Sequence, residues 1–145
     1  MIICIDVGNT RTKVAVYENS TLQQLIITNN EKLIKNISKQ IQGIENCVDI
    51  ILSSVGDLSL ETIEDLKKLG NLITVTHETF LPFKNLYSTP TTLGIDRIVL
   101  AAGATLKYPN QNRLVIDAGT CITYDFINSS NQYHGGAISP GIGLR

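Results

Sequence analysis

Two copies of one short pattern constrain what this chain can fold into. An apolar residue followed by Asp, one variable residue and Gly occurs at residues 5–8 and again at residues 116–119. Each copy ends a short apolar run and is followed by a second strand-like run, so each predicts a β-hairpin whose first strand ends at an Asp. We interpret the two hairpins as an internal duplication whose second copy is incomplete.

The first hairpin opens a run of three predicted strands, over residues 2–5, 12–17 and 22–28. Thr28 and Glu31 have the spacing of a capping box, and apolar residues at helical spacing follow them. The sequence therefore predicts an antiparallel three-stranded meander followed by a helix.

A strand, a helix and another strand are predicted between residues 48 and 76, with Ser59 as the cap of the helix. Residues 77–93 show no periodicity, and a loop of that length inside a compact domain is often functional. Apolar spacing then predicts a third helix that ends before Pro109. This order predicts the α/β class, with the antiparallel meander feeding a mixed sheet.

The strand pattern restarts after Pro109, with two runs over residues 114–127 and a third over residues 133–139. We therefore assign residues 1–109 to a first domain and residues 110–145 to the incomplete start of a second. No helix follows that could cover the second sheet, and a bare sheet face is unusual in a stable domain. We expect this chain to be the front part of a longer two-domain protein.

Composition excludes several classes of function. The chain has 145 residues, of which 17% are charged, and a net charge of −1. This balance predicts neither a nucleic-acid partner nor a polybasic membrane surface, and no apolar run approaches the 18 residues of a membrane span. Three cysteines without CxxC spacing favour a reduced, cytoplasmic location over a disulfide framework or a zinc site.

The repeated hairpin has a chemistry suited to phosphate. Glycine lets the backbone approach a ligand closely, and successive turn N–H groups can converge on an anion. The Asp at the strand end would hold Mg²⁺, and Lys13 would offset phosphate charge. Two such hairpins facing each other across a cleft would bind a nucleoside polyphosphate from both sides. A single Asp-x-Gly is also an ordinary turn signature, and that alternative stays open.

The third helix begins with a second candidate group. Asp96 could accept the proton of a hydroxyl that attacks phosphorus, and Arg97 offers a bidentate fork for a carboxylate or phosphate. Tyr87, in the preceding loop, could line a pocket for a partly apolar substrate. The alternatives are dipole compensation by Asp96, a solvated Arg97 and a simple surface tyrosine.

Taken together, these residues resemble four motifs of the type III pantothenate kinases, in family order. Residues 6–13 are similar to the first phosphate motif, and residues 117–120 to the second. Tyr87 and residues 93–97 resemble the pantothenate-binding segment, and residues 135–141 the glycine-rich stretch. Each motif alone has low specificity, whereas the ordered set is specific to the family.

The resemblance implies that the protein phosphorylates pantothenate with ATP to give 4'-phosphopantothenate, the first step of coenzyme A biosynthesis. It implies a pair of ribonuclease-H-like domains, a homodimer as the active unit, and a chain that continues beyond residue 145. The ATP phosphates would be bound by Asp6, Val7, Gly8, Asn9, Thr10, Arg11, Thr12 and Lys13.

The same resemblance assigns the remaining roles. Asp6 would lie near Mg²⁺, Asp96 would be the general base, and Thr120 would contact ATP. Asp117 would ligate a monovalent cation, K⁺ or NH₄⁺. Pantothenate would be contacted by Tyr87, Gly94, Ile95, Asp96 and Arg97.

Two other functions are compatible with the hairpins. A phosphatase or polyphosphate hydrolase would use water in place of the substrate hydroxyl, although water needs no Arg97 to clamp it. A nucleotide-binding regulatory module would bind the nucleotide without transferring phosphate.

Overall fold

The computed structural model describes residues 1–44, 47–56 and 58–144. The chain forms two compact units, Met1–Thr76 and His77–Arg145. The boundary predicted from the sequence, at residue 109, placed the third helix with the first unit. The structure instead groups that helix with the second unit because it packs on two strands there. The domain boundary of a whole two-domain protein stays a prediction.

The first unit contains a five-stranded mixed sheet. β1, β2 and β3 form the antiparallel meander, and β4 and β5 extend the sheet from β1 in parallel, giving the order β3-β2-β1-β4-β5. The predicted α/β class, with a ribonuclease-H-like mixed sheet fed by a meander, is confirmed. The strands are β1 (Ile2–Val7), β2 (Thr12–Glu18), β3 (Thr21–Thr28), β4 (Asp49–Ser54) and β5 (Asn71–Thr74).

Two capped helices belong to this unit, α1 (Asn30–Ile41) and α2 (Leu60–Leu69). Ser59 caps α2 as predicted, since its hydroxyl accepts from the Thr62 N–H. The cap of α1 is Asn29 rather than the predicted Thr28. Thr28 still belongs to β3, and its hydroxyl accepts from the Asn36 side-chain amide, whereas the Asn29 side chain accepts from the Lys32 N–H at the start of the helix.

The core of the first unit lies on one face of its sheet. Ile3, Ile5 and Val7 of β1 are buried there, together with apolar residues of α1 and α2. Successive strand residues point to opposite faces. The side chain of Asp6, which lies between two core residues, therefore emerges on the other face of the sheet.

Within residues 77–144 the second unit contains a four-stranded sheet of order β6-β9-β8-β7 and one α-helix. Its elements are β6 (Lys84–Asn85), α3 (Ile95–Lys107), β7 (Arg113–Ala118), β8 (Cys121–Ile127) and β9 (Gln132–Pro140). β7, β8 and β9 form the predicted second antiparallel meander. The segment predicted as an irregular loop contains β6, paired in parallel with β9, and a short 3-10 turn at Pro90–Thr92.

One face of this second sheet carries exposed apolar side chains. Leu114 and Ile116 of β7 are exposed, and they pair across the sheet with Phe126 and Tyr124 of β8. The opposite face packs against α3. None of the helices in the described part of the chain is both long enough and apolar enough to cross a membrane.

Candidate functional site

The turn of the first hairpin borders a polar cavity. Residues 8–11 connect β1 to β2, and the Gly8 N–H donates to the Arg11 carbonyl at 3.1 Å, which closes the turn. The adjoining cavity has a volume of about 280 Å³. Its lining contains no large apolar side chain and includes one guanidinium-bearing residue and one carboxylate-bearing residue. The lining residues are Gly8, Asn9, Thr10, Arg11, Thr12, Asn29, Asn30 and Glu31.

Asp6 and Lys13 face each other across the hairpin. They are register partners of β1 and β2, and the Lys13 Nζ lies 3.5 Å from an Asp6 carboxylate oxygen. Their side chains are 44% and 55% exposed, respectively. An exposed ion pair of this kind contributes at most about 1 kcal/mol to stability. Either side chain can therefore leave its partner and bind a ligand at little cost in free energy.

Two residues of the predicted phosphate motif have buried side chains. Val7 belongs to the core, and the Thr12 hydroxyl donates to the Asn30 side chain at 2.7 Å. These side chains fix the hairpin against α1, and only their backbone groups remain available to a ligand.

Ser53 of β4 is a neighbour of Asp6 that sequence reasoning missed. β4 runs parallel to β1, and Ser53 is the register partner of Asp6. The Ser53 hydroxyl is buried and has no hydrogen-bond partner among the described residues. Leaving a buried hydroxyl unpaired is costly, so Ser53 is a candidate to bind a ligand or a water beside Asp6. The usable signal was that parallel strands bring their carboxyl ends to one edge of a sheet.

The second hairpin differs from the first in its turn and in its partner residue. Only Gly119 and Thr120 connect β7 to β8, whereas four residues form the first turn. Asp117 is exposed, and its register partner is Thr123, so the residue opposite it is not a lysine or arginine as in the first hairpin. The Thr120 carbonyl accepts from the Gly141 N–H at 3.0 Å, which ties the turn to the glycine-rich stretch.

No ready-made metal cluster is found among residues 1–44, 47–56 and 58–144: nowhere do three or more His, Cys, Asp or Glu side chains gather in a way that could hold an ion. Asp6 and Asp117 are instead single carboxylates at strand ends. Mg²⁺ that accompanies a nucleotide commonly uses one or two carboxylates together with phosphate oxygens, so Asp6 fits such a role.

The first turn of α3 carries the second group of candidate residues. Gly94 is the N-cap, and Asp96 is half-buried. An Asp96 carboxylate oxygen accepts from the Arg97 N–H at 2.8 Å. A negative side chain in the first turn of a helix interacts favourably with the positive end of the helix dipole.

Arg97 is buried and paired with Asp125 of β8. Its Nε lies 3.1 Å from both carboxylate oxygens, and its Nη2 lies 2.5 Å from Oδ1. The hydroxyl of Tyr133 donates to the same Oδ1. The hydrogen bonds that Arg97 donates to Asp125 raise the pKa of Arg97 further above its usual range. Burial, with the Asp125 hydrogen bond as the second cause, raises the pKa of the Tyr133 hydroxyl.

The ion pair with Asp125 limits the hydrogen-bond donors that Arg97 can offer a ligand. Its Nε and Nη2 edge already binds Asp125, so a second acceptor is left with the Nη1 donors and the remaining Nη2 donor. The predicted contact of Arg97 with a substrate carboxylate stays a prediction, restricted to those donors.

Tyr87 lies beside this pair in a position set by the glycine-rich stretch. Its ring centroid is 5.8 Å from the Arg97 guanidinium carbon and 6.4 Å from the Tyr133 ring centroid. Gly135 has φ +86°, and a Cβ there would come within 2.5 Å of the Tyr87 ring. Gly135 thus explains part of the glycine-rich segment: it leaves room for the tyrosine.

The structure therefore gathers most of the predicted residues in two groups, while Asp117 and Thr120 lie at the second hairpin. Asp6 and residues 8–13 gather at the first hairpin, and Tyr87, Asp96 and Arg97 gather near the start of α3. Sequence reasoning missed three residues that touch these groups: Ser53, Asp125 and Tyr133.

Comparison with known proteins identifies the family. The sequence model of the type III pantothenate kinases matches residues 2–145. This chain belongs to the type III pantothenate kinase family. The type III pantothenate kinase of Flavobacterium johnsoniae is 52% identical over 145 residues, and that of Bacteroides fragilis is 39% identical over 149. The match covers all of this chain and 59% of each of those pantothenate kinases, so the chain spans about three fifths of their length.

A solved structure has a similar fold. The crystal structure of a Campylobacter jejuni protein, assigned to the Baf family of transcriptional activators, is similar with a TM-score of 0.61 and 26% identity. The similarity covers 97% of this pantothenate kinase family member and 55% of the Campylobacter chain.

Proposed function

We propose that the protein carrying this chain phosphorylates pantothenate with ATP, giving 4'-phosphopantothenate in the first step of coenzyme A biosynthesis. The observation that carries the proposal is the family match over residues 2–145, which includes both hairpins and the start of α3. The proposal includes a cytoplasmic location and a homodimer as the active unit.

Residues 6–13 bind the ATP phosphates in this proposal. The turn lies beside a polar cavity, and Lys13, which follows the turn on β2, supplies a positive charge next to Asp6. Asp6 would hold Mg²⁺, which supplies charge neutralisation of the phosphates when bound. In the second hairpin, Thr120 would contact ATP, and Asp117 would ligate K⁺ or NH₄⁺.

Pantothenate is bound by Tyr87 and residues 94–97. Asp96 takes the proton of the primary hydroxyl as the hydroxyl oxygen forms its bond to the γ-phosphorus and the bond from that phosphorus to the ADP oxygen breaks. Ile95 is buried and contributes through its backbone. Positioning and charge neutralisation provide the catalysis, and no covalent enzyme intermediate forms.

An ADP-release assay on the protein expressed from its full reading frame tests this proposal. ADP is expected only when ATP and pantothenate are both present, and omission of K⁺ and NH₄⁺ is expected to slow its release. Phosphate release from ATP without pantothenate would instead indicate a hydrolase.

A regulatory module is the second candidate function. The structurally similar Campylobacter protein is assigned to a family of transcriptional activators, and this favours the alternative. ATP binding measured by calorimetry, together with no pantothenate-dependent ADP release, would support the regulatory module and contradict the kinase.

Lys13→Ala is expected to weaken ATP binding roughly 10- to 100-fold, because it removes a charged contact to phosphate. Calorimetry measures the dissociation constant directly. Lys67→Ala is the matched control, since the Lys67 side chain has the same 55% exposure and is also paired with a carboxylate. Unchanged ATP affinity in Lys13→Ala would remove Lys13 from the site.

A further inference from the structure

We propose that Asp125 and Tyr133 are positioning residues, which hold the Arg97 guanidinium and thereby fix the start of α3 and Tyr87 for the acceptor substrate. This inference rests on the proposed function. It concerns residues of the second unit alone, and neither Asp125 nor Tyr133 belongs to the motifs that carried the sequence prediction.

Burial shows that this group is costly to maintain. Arg97, Asp125 and Tyr133 are 5%, 1% and 0% exposed. Removing two charges from water costs several kcal/mol per ion, and apolar residues of similar volume are often as stable. Stability is therefore a weak explanation for the presence of this buried ion pair. The remaining explanation is the geometry that the pair imposes on its neighbours.

That geometry links the sheet to the first turn of α3. Asp125 lies on β8, Tyr133 lies on β9, and Arg97 lies one residue after Asp96. Three hydrogen bonds fix the guanidinium to one carboxylate, and the Tyr133 hydroxyl holds that carboxylate from the other strand. A shift of Arg97 therefore moves Asp96 with it.

The same anchor sets the position of Tyr87. Its ring faces the Arg97 guanidinium at 5.8 Å and meets the Tyr133 ring edge-on. Loss of Asp125 would free the guanidinium and remove one support of the ring. Misplacement of catalytic groups by about 1 Å can cost roughly 100-fold in rate.

The test compares Asp125→Asn with Tyr133→Phe in the protein expressed from its full reading frame. Asp125→Asn keeps the shape and removes the charge, whereas Tyr133→Phe keeps the ring and removes one hydrogen bond. Asp65→Asn on α2 is the control, because Asp65 forms an exposed pair with Lys68. Circular dichroism checks that each variant is folded.

We expect Asp125→Asn to lower kcat/KM for pantothenate roughly 10- to 100-fold, and Tyr133→Phe to lower it by a smaller factor. The dissociation constant for ATP is expected to stay within about twofold in both. A merely structural role would weaken ATP and pantothenate binding alike.

Three outcomes would overturn the inference while leaving the kinase intact. These are folded variants with wild-type kcat/KM for pantothenate, a parallel loss of ATP affinity, and failure of both variants to fold. If Asp125→Asn alone fails to fold, Tyr133→Phe decides by the same criteria. Absence of pantothenate-dependent ADP release in the wild type would instead overturn the proposed function, and this inference with it.

Discussion

Replacement of Asp96 by Asn is expected to abolish turnover while ATP affinity is largely kept. Asn has the same shape, but it cannot take the proton of the pantothenate hydroxyl. A positioned general base contributes roughly 100- to 10,000-fold to the rate, so kcat in the ADP-release assay should fall by that factor. Calorimetry with ATP should give a dissociation constant close to that of the wild type.

Asp65→Asn is the control for this experiment, because it makes the same chemical change on an exposed surface of α2. Its kcat should equal that of the wild type. An Asp96→Asn variant that turned over at the wild-type rate would show that Asp96 is not the base.

Gly136→Ala is expected to have the largest effect on stability. A Cβ at residue 136 would overlap the backbone carbonyl of Tyr124 on β8, which cannot move without separating β8 from β9. Overpacking of this kind costs about 3 kcal/mol or more when the obstacle is backbone. Denaturant unfolding followed by circular dichroism measures the loss of unfolding free energy. The substitution should also displace Asp125, the register partner of Gly136.

Gly103→Ala provides the matched control within the same unit. Gly103 lies inside α3, and a Cβ there would meet nothing within 4 Å. Alanine is favoured over glycine inside a helix by about 1 kcal/mol, so this variant should be more stable than the wild type. Equal stability of the two variants would contradict the steric argument for Gly136.

Local patterns were sufficient to predict most of the fold. The apolar run at residues 2–5 was enough to predict β1, and Ser59 marks the start of α2 by its own hydrogen bond. Local patterns failed where two polar residues compete for one role. Thr28 and Asn29 can both cap a helix, and only the pairing of β3 decides between them.

The candidate site was predictable only where its residues are neighbours along the chain. A hairpin pairs Asp6 with Lys13 by its register alone, so their proximity could be predicted. Arg97 and Asp125 are 28 residues apart and lie on different elements, and no local pattern connects them. A weak signal existed: Asp125 lies on the same inward-facing side of β8 as Thr123 and Ile127. A carboxylate buried there requires a partner.

The pairing of Arg97 with Asp125 has a consequence for how an acceptor is recognised. The two opposite charges cancel, so this end of the protein attracts an incoming anion only weakly from a distance. In the proposed kinase, discrimination among acceptors would then depend on the direction of the guanidinium N–H groups that Asp125 leaves unbound and on the flat surface of the Tyr87 ring. Selectivity of this kind operates at contact range and is insensitive to ionic strength, whereas the exposed lysine of the first hairpin exerts an attraction that salt screens.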